Sequence, residues 1–174
     1  DDARGVYTTS IHIFSDAQNS WASTEIATLT NAGILKGYTD GTFRPNAAIT
    51  RAEFAAIAAR FDKLSGGDKT FTDVPTDHWA YAAITSAAEK GWVNGYADGT
   101  FRPNNAITRA EVVKITNAVL ERTCDKDYVA DNLSKLISYN DLTSAYWAYY
   151  DVLEASNAHD YKVVNDVETW VSLK

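Results

Sequence analysis

The sequence has 174 residues, of which 45% are hydrophobic and 22% are charged, with a net charge of -7 and a pI of about 4.9. This composition is typical of a globular protein and excludes an intrinsically disordered chain. The acidic balance argues against a nucleic-acid partner, because phosphate binding needs a basic surface. The sequence contains no apolar run of about eighteen residues, so no membrane span is expected.

Residues 1–13 have no helical period and are interpreted as an N-terminal leader. The first of three similar repeats begins at Phe14-Ser15-Asp16. This start returns as Phe71-Thr72-Asp73 and, in weaker form, as Tyr139-Asn140-Asp141. Such repetition indicates structural repeats that pack on one another. We predict one compact body with a leader at 1–13, repeats at 14–62 and 71–122, and a linking helix plus a degenerate third repeat at 125–174.

Each complete repeat is predicted to open with a helix, because apolar residues recur at helical spacing from Trp21 and from Trp79. Asp77 is the expected N-cap of the second of these helices. Gly33 and Gly91 follow the last apolar positions, where glycine commonly ends a helix in the left-handed conformation. A Trp that begins an apolar stripe usually packs in a core, which favours buried positions for both tryptophans.

A segment of seventeen residues then occurs twice, as GYTDGTFRPNAAITRAE at 37–53 and GYADGTFRPNNAITRAE at 95–111. Its Asp-Gly pair predicts a turn, because Gly accepts positive φ and Asp can bond to its own backbone. Its Thr-Arg-Ala-Glu end matches a capping box, in which the Thr and Glu side chains bind each other's backbone N–H groups. Second helices are therefore predicted at about 51–62 and 109–122.

The third copy retains Trp147 and Leu153 at helical spacing but lacks both the DGTFRP turn and the TRAE segment. A helix at about 125–138 is predicted to lead into it. Trp170 and Leu173, near the end of the chain, are expected to form a final apolar clamp.

Together, the F-x-D start, the W-A helix, the G-Y-x-D-G-T-F-R-P loop and the T-R-A-E segment resemble the S-layer homology domain family. The first two copies match along their whole length and the third matches in its first half. The resemblance implies a pseudo-threefold α-helical bundle of helix-loop-helix repeats. The capped helices and their alanine-rich faces predict a mainly α fold with no sheet larger than a short ribbon. The resemblance also implies a module that anchors an exported protein non-covalently to the bacterial cell wall, outside the cell.

The resemblance further implies a partner. The usual ligand is a secondary cell wall polysaccharide, often with pyruvylated N-acetylmannosamine, bound in grooves between adjacent repeats. Some relatives bind modified peptidoglycan instead. An alternative of another class is a protein-interaction or scaffold module whose grooves accept a neighbouring chain. The isolated domain is expected to be monomeric.

Arg51 and Arg109 are the leading ligand-binding candidates. Each is placed at the first position of a capped helix, where free backbone N–H groups and the helix dipole favour an anion. A guanidinium can bind a carboxylate through two parallel bonds, but it can equally form only a surface ion pair. The resemblance favours the ligand role. We expect both side chains to face solvent and, since the third copy has no equivalent Arg, at most two grooves to bind.

Further ligand candidates lie in the same repeats. Trp21 and Trp79 could also stack on a sugar face or close a groove. Turn residues could bond to sugar hydroxyl groups as well as to their own loops; these are Asp40, Thr42, Asp98 and Thr100. The remaining candidates are the capping residues Thr50, Thr108, Glu53 and Glu111.

No enzyme, cofactor or metal site is predicted. Capping accounts for both Glu53 and Glu111, so a two-carboxylate glycosidase is not supported. His12, His78 and His159 are scattered without ligand spacing, which supports neither a metal site nor a Ser-His-Asp triad.

Overall fold

The computed structural model describes residues 13–62, 66–165 and 167–174. The chain groups into two compact units, 1–48 and 49–174. The first unit is described from Ile13 onward, so the predicted leader lies outside the described residues except for Ile13 itself.

Within its described residues, the first unit has one helix, α1 (Ser23–Asn31). As predicted, Gly33 follows this helix in the left-handed region, with a φ of 77°. Phe14 and Ile26 belong to a small buried cluster, and the Phe14 ring lies 5.3 Å from the ring of Phe43. The first F-x-D start and the first DGTFRP loop therefore share a core.

The second unit contains the other helices and the strands of the described chain. In chain order they are α2 (Arg51–Ala58), a 3-10 turn (Ala59–Phe61), α3 (Tyr81–Glu89), α4 (Arg109–Val119), α5 (Lys126–Asn132), a second 3-10 turn (Leu133–Lys135), α6 (Tyr149–Ser156), β1 (His159–Val164) and β2 (Val167–Leu173). Among the described residues, no helix has both the length and the apolar character needed to cross a membrane.

α2 and α4 begin where the sequence predicts. At each start, the Thr side chain accepts a hydrogen bond from the Glu backbone N–H, and the Glu carboxylate accepts one from the Thr backbone N–H. The distance from the Thr50 nitrogen to Glu53 Oε2 is 2.8 Å, and that from the Thr108 nitrogen to Glu111 Oε2 is also 2.8 Å. Both capping boxes are confirmed.

The first helix of the second repeat begins later than predicted. α3 starts after Ala80, which has no capping side chain, so the prediction of Asp77 as N-cap is wrong. The preceding residues form turns, closed by bonds from the His78 N–H to the Pro75 carbonyl and from the Tyr81 N–H to the His78 carbonyl. These turns satisfy the backbone without the predicted side-chain cap.

The F-x-D start and the DGTFRP loop of one repeat form a single structure. In the second repeat, the Asp73 carboxylate accepts hydrogen bonds from the backbone N–H groups of Phe101 and Arg102, each at 2.7 Å. Arg102 has a positive φ of 59°, an uncommon conformation for a residue other than glycine. Asp16 binds the loop of the first unit in the same way. The aspartate thus holds the loop in the shape that buries Phe101.

Alanine-rich helix faces form the main core of the second unit. α2 packs against α3 and α4, and small side chains allow this close approach. The buried residues of this cluster are Ala52, Ala55, Ala58, Val74, Ala80, Ile84, Ala87, Ala88, Val93, Phe101 and Ile115.

The chain ends in a β-hairpin that the sequence analysis missed. β1 and β2 pair antiparallel, from His159 opposite Leu173 to Val164 opposite Val167. The prediction of a mainly α, pseudo-threefold bundle is therefore wrong, and the fold is mixed α/β. Valine recurs in both strands, and its branched side chain favours extended backbone.

The hairpin supplies the apolar clamp expected at the end of the chain. Trp170 of β2 is buried together with Val129, Leu136 and Leu153, and Leu173 packs against this cluster. The clamp is confirmed, and strand β2 presents it.

Candidate ligand-binding groove

A groove of about 560 Å³, here called the Trp147 groove, opens on the second unit. It lies between the loop at 92–96, the start of α4 and the turn before α6. Its lining combines aromatic and aliphatic side chains with polar ones, as in many ligand sites. The aromatic residues are Trp92, Tyr96, Phe101, Tyr146 and Trp147, and the polar ones are Arg51, Asn94, Asn105, Thr108, Glu111 and Lys114.

Arg51 reaches the Trp147 groove with a buried side chain that is only 7% exposed. Its Nε donates to the Phe101 carbonyl oxygen at 2.9 Å, and its Nη2 donates to the Asn94 carbonyl oxygen at 3.0 Å. Its Nη1 forms an ion pair with the Glu111 carboxylate. The expectation that Arg51 faces solvent is wrong, because the second repeat supplies acceptors that draw the guanidinium inward.

The start of α2 is closed to an anion. The Arg51 N–H donates to the Asn105 carbonyl oxygen at 2.9 Å, and the Ala52 N–H donates to the Pro103 carbonyl oxygen at 3.0 Å. The third N–H of the helix is used by its capping box. The free backbone N–H groups predicted at this helix start are therefore already bonded.

Arg109, the equivalent residue of the second repeat, is exposed. It lines a second groove, of about 510 Å³, together with Tyr139 and Asp141 of the third copy. Within the described part of the chain, its side chain makes no ion pair or hydrogen bond. The pairing of Arg51 with a glutamate of the next repeat explains the difference, because the third copy has no TRAE segment to supply one.

Lys114 extends from α4 toward the aromatic wall of the Trp147 groove. Its Nζ lies 5.6 Å from the centroid of the Trp147 ring, within the range of a cation–π contact. Both side chains are exposed. The sequence predicts a helical position for Trp147 and no functional role for Trp147 or Lys114. The lining of the groove, drawn from separate elements, identifies both.

The predicted core positions of Trp21 and Trp79 are wrong. Trp21 is 92% exposed and Trp79 is 64% exposed, because each precedes its helix in a turn instead of beginning it. Trp79 stacks on His78, with ring centroids 5.8 Å apart. Trp79 does not line the Trp147 groove, whereas Trp147 does. A ligand role for Trp21 and Trp79 stays a prediction.

The turn candidates bind their own loops. Asp98 accepts hydrogen bonds from the Thr100 hydroxyl at 2.6 Å and the Thr100 N–H at 3.0 Å, and it pairs with Arg102. Hydrogen bonds from Thr100, then from Arg102, lower the pKa of Asp98 to about 2. Asp40 and Thr42 repeat this arrangement in the first unit. All four residues stabilise turns, and their binding to sugar remains a prediction.

A buried charged cluster, absent from the sequence analysis, joins the hairpin to α6. Arg122 Nη2 lies 2.9 Å from Glu154 Oε1 and 2.9 Å from Glu168 Oε1. His159 Nε2 lies 2.7 Å from the same nitrogen and 3.0 Å from Glu168 Oε1. Glu154, His159 and Glu168 each offer a possible metal-ligand atom, and these atoms lie within 4.8 Å of one another. Arg122 supplies a positive charge beside them. No spacing in the sequence predicts this cluster, because its members come from separate elements.

The cluster gives its two carboxyl groups different acidities. Burial raises the pKa of Glu154, and the nearby charge of Glu168 raises it further. Burial also acts to raise the pKa of Glu168, but hydrogen bonds from Arg122, His159 and the Thr123 N–H outweigh it and lower that pKa to about 2. Glu168 is therefore the carboxylate that holds its charge against Arg122.

Comparison with known proteins matches the chain to the S-layer homology domain family at residues 13–55 and 70–113. It is 38% identical over 157 residues to a cellulosome-anchoring protein of Acetivibrio thermocellus, covering 86% of this chain and 34% of that protein. It is 34% identical over 173 residues to cell surface glycoprotein 1 of the same organism, covering 92% of this chain and 7% of that protein. It is 37% identical over 98 residues to the surface-layer 125 kDa protein of Lysinibacillus sphaericus, covering 56% of this chain and 8% of that protein.

The two matched ranges contain the F-x-D starts, the aspartate-bound loops and the capping boxes of the first two repeats, and they end inside α2 and α4. The chain spans about a third of the first relative and less than a tenth of the other two. The predicted location at the bacterial cell surface is confirmed. The chain belongs to the S-layer homology domain family and is a cell-surface anchoring module.

Proposed function

We propose that this chain anchors its parent protein by binding a secondary cell wall polysaccharide in the Trp147 groove. The observation that carries the proposal is the exposed Trp147 ring, which lies beside other aromatic rings and polar side chains in the groove. The face of an aromatic ring can stack on the apolar face of a sugar ring, and adjacent polar groups can form hydrogen bonds with the sugar hydroxyl groups.

The proposed sugar is pyruvylated N-acetylmannosamine. Its ring would pack on Trp147, and its acetamido and hydroxyl groups would find hydrogen-bond partners in the side chains of Asn94 and Asn105, which also line the groove. Its pyruvyl carboxylate requires a positively charged side chain, and such side chains line this groove. Modified peptidoglycan is the alternative wall ligand.

The proposed role is binding without catalysis. Glu53 and Glu111 are carboxylates of the repeats, and each accepts hydrogen bonds in its own capping box. Glu111 also pairs with Arg51. A glycosidase needs one carboxyl group to donate a proton and a second to act as base or nucleophile on the same sugar. These two residues cap different helices instead.

Binding to isolated cell wall sacculi tests the proposal. We expect the chain to sediment with sacculi that carry their secondary polysaccharide and to remain in solution when that polymer has been removed chemically. Trp147→Ala should weaken sedimentation about tenfold, the effect of losing one central aromatic contact. Phe61→Ala is the control, because Phe61 is an aromatic residue of similar exposure that does not line the groove and is not a ligand candidate.

Two results would count against the proposal. Binding that survives removal of the polymer would favour peptidoglycan as the ligand. Equal binding by wild type and Trp147→Ala would exclude the Trp147 groove as the site.

Protein binding is a second candidate function, favoured by the hairpin. Val163, Val164 and Val167 are each more than half exposed, at 63%, 53% and 60%. Exposed apolar side chains on an edge of a two-stranded sheet can pair with another chain. Sedimentation unchanged by Val163→Thr and Val167→Thr would separate wall binding from this surface.

A further inference from the structure

We propose that Lys114, and not Arg51, supplies the positive charge that binds an anionic sugar in the Trp147 groove. This inference rests on the proposed function, and it names the residue that would distinguish a charged sugar from a neutral one.

Arg51 is poorly suited to this task because its charge is already balanced. Its guanidinium pairs with Glu111 and donates to two backbone carbonyl oxygens, those of Phe101 and Asn94. Its side chain is only 7% exposed. A ligand carboxylate would have to compete with Glu111, an existing partner held in place by the capping box of α4. Arg51 therefore acts as a positioning residue that joins the walls of the groove.

Lys114 has the opposite surroundings. Among the described residues, Lys114 makes no salt bridge, and its ammonium group lies over the Trp147 ring. The Arg51 and Glu111 charges cancel within the lining, so the lysine leaves the groove with an excess positive charge. An anionic ligand gains attraction from that charge without breaking a bond of the protein.

The repeats indicate that the fold does not demand a lysine here. The equivalent position of the first repeat is Ala56, a buried residue that packs with its neighbours. A lysine in the second repeat places a flexible ammonium group at an exposed position on α4. The change from Ala56 in the first repeat to Lys114 in the second adds a positive charge to the groove, while the capping box that starts the helix is retained.

The geometry suits a sugar ring that carries its acid group at one edge. With the ring stacked on Trp147, an acid group at the ring edge comes within reach of Nζ, which lies 5.6 Å from the Trp147 ring centroid. The ammonium can donate a charge-assisted hydrogen bond to the carboxylate. A neutral sugar would keep the stacking contact and lose this bond.

Calorimetric titration of the full chain with two methyl glycosides tests the inference. The probes are pyruvylated N-acetylmannosamine and unsubstituted N-acetylmannosamine. We expect Lys114→Gln to raise the Kd of the pyruvylated sugar about tenfold and to change the Kd of the neutral sugar less than about twofold. Lys114→Arg should restore most of the affinity. The preference of wild type for the charged sugar should shrink as salt is added.

Lys126→Gln is the matched control, because its ammonium also lies over an aromatic ring, 4.8 Å from the Tyr150 centroid, but outside the groove. Equal Kd values for wild type and Lys114→Gln, with Trp147→Ala still defective, would overturn the role of Lys114 and leave the proposed function intact. Failure of wild type to bind the pyruvylated sugar while it still sediments with sacculi would overturn the anionic ligand. Failure to bind sacculi would overturn both proposals.

Discussion

Glu111 joins the starts of two helices, because one of its carboxylate oxygens caps α4 and the other pairs with Arg51 at the start of α2. The capping box alone would predict only the first contact. The second contact ties the first repeat to the second and places a buried charge pair behind the Trp147 groove.

Replacement of Arg51 should therefore destabilise the protein. We expect Arg51→Ala to lower the free energy of unfolding by about 3 kcal/mol, since it leaves the Glu111 carboxylate and two carbonyl oxygens without their donor. Urea denaturation measures this loss. Arg109→Ala is the matched control and should change stability by no more than about 0.5 kcal/mol, because Arg109 is exposed. Equal losses in the two variants would contradict the structural role of Arg51.

The capping threonines should matter in both repeats. Thr108→Ala removes the acceptor of the Glu111 N–H and should cost about 1 kcal/mol of folding stability. Thr108→Ser keeps the hydroxyl group and should retain most of that stability. Thermal unfolding of the three proteins measures the difference. A serine variant as unstable as the alanine variant would mean that the methyl group, and not the cap, is what the helix needs.

The aspartate of the F-x-D start should be required where it binds a loop. Asp73→Ala leaves the N–H groups of Phe101 and Arg102 without their acceptor, and we expect a loss of about 2 kcal/mol in urea denaturation. Asp141→Ala changes the corresponding residue of the third copy, which has no DGTFRP loop to bind, and should have an effect below about 0.5 kcal/mol. Similar effects of both changes would show that the aspartate acts by some other route.

Glu168 should make the stability of the second unit depend on acidic pH. Its pKa falls from 4.5 to about 2 on folding, so the unfolded chain takes up this proton first as the pH decreases. The Glu168 contribution is therefore complete above about pH 5 and is lost as the pH falls toward about 2. Denaturation of wild type and Glu168→Gln at about pH 5 and about pH 3 should give curves that converge at the lower pH.

Glu154→Gln serves as the comparison for this experiment. Because the pKa of Glu154 is raised on folding, its own effect has the opposite sign, and stability from this group increases as the pH falls. The Glu154→Gln variant should keep the acidic decline that Glu168 causes. A decline that persists unchanged in Glu168→Gln would assign it to other carboxylates of this unit, such as Asp98, whose pKa is also lowered.

Local chemistry made much of the fold predictable. The capping boxes at Thr50 and Thr108 and the helix end at Gly33 depend on residues a few positions apart, and each occurs where expected. The family could be identified because long motifs occur twice. Helix starts without a side-chain cap, such as that of α3, gave no comparable signal, and their first turns were misassigned.

Features that depend on contacts between residues far apart in the sequence could not be predicted. The burial of Arg51 depends on Phe101 and Glu111, which are 50 and 60 positions away. The hairpin was not predicted, because the third copy was expected to follow the helical pattern of the first two. Both strands contain valines, which favour extended backbone. The side chains of the Trp147 groove likewise meet only after four separate parts of the chain have packed.

The boundary between the two compact units determines which fragments of the chain keep their helix partners. It falls between Ala48 and Ile49, inside the first repeat at 14–62, so the sequence repeat and the compact unit have different bounds. A fragment that starts at 49 keeps α2 with its partners on α3 and α4, whereas one that starts at 71 discards α2 and exposes the alanine face of α3. The shorter fragment should therefore melt with less cooperativity in calorimetry. A copy of residues 14–62 alone would therefore contain α2 without the helices against which it packs, α3 and α4.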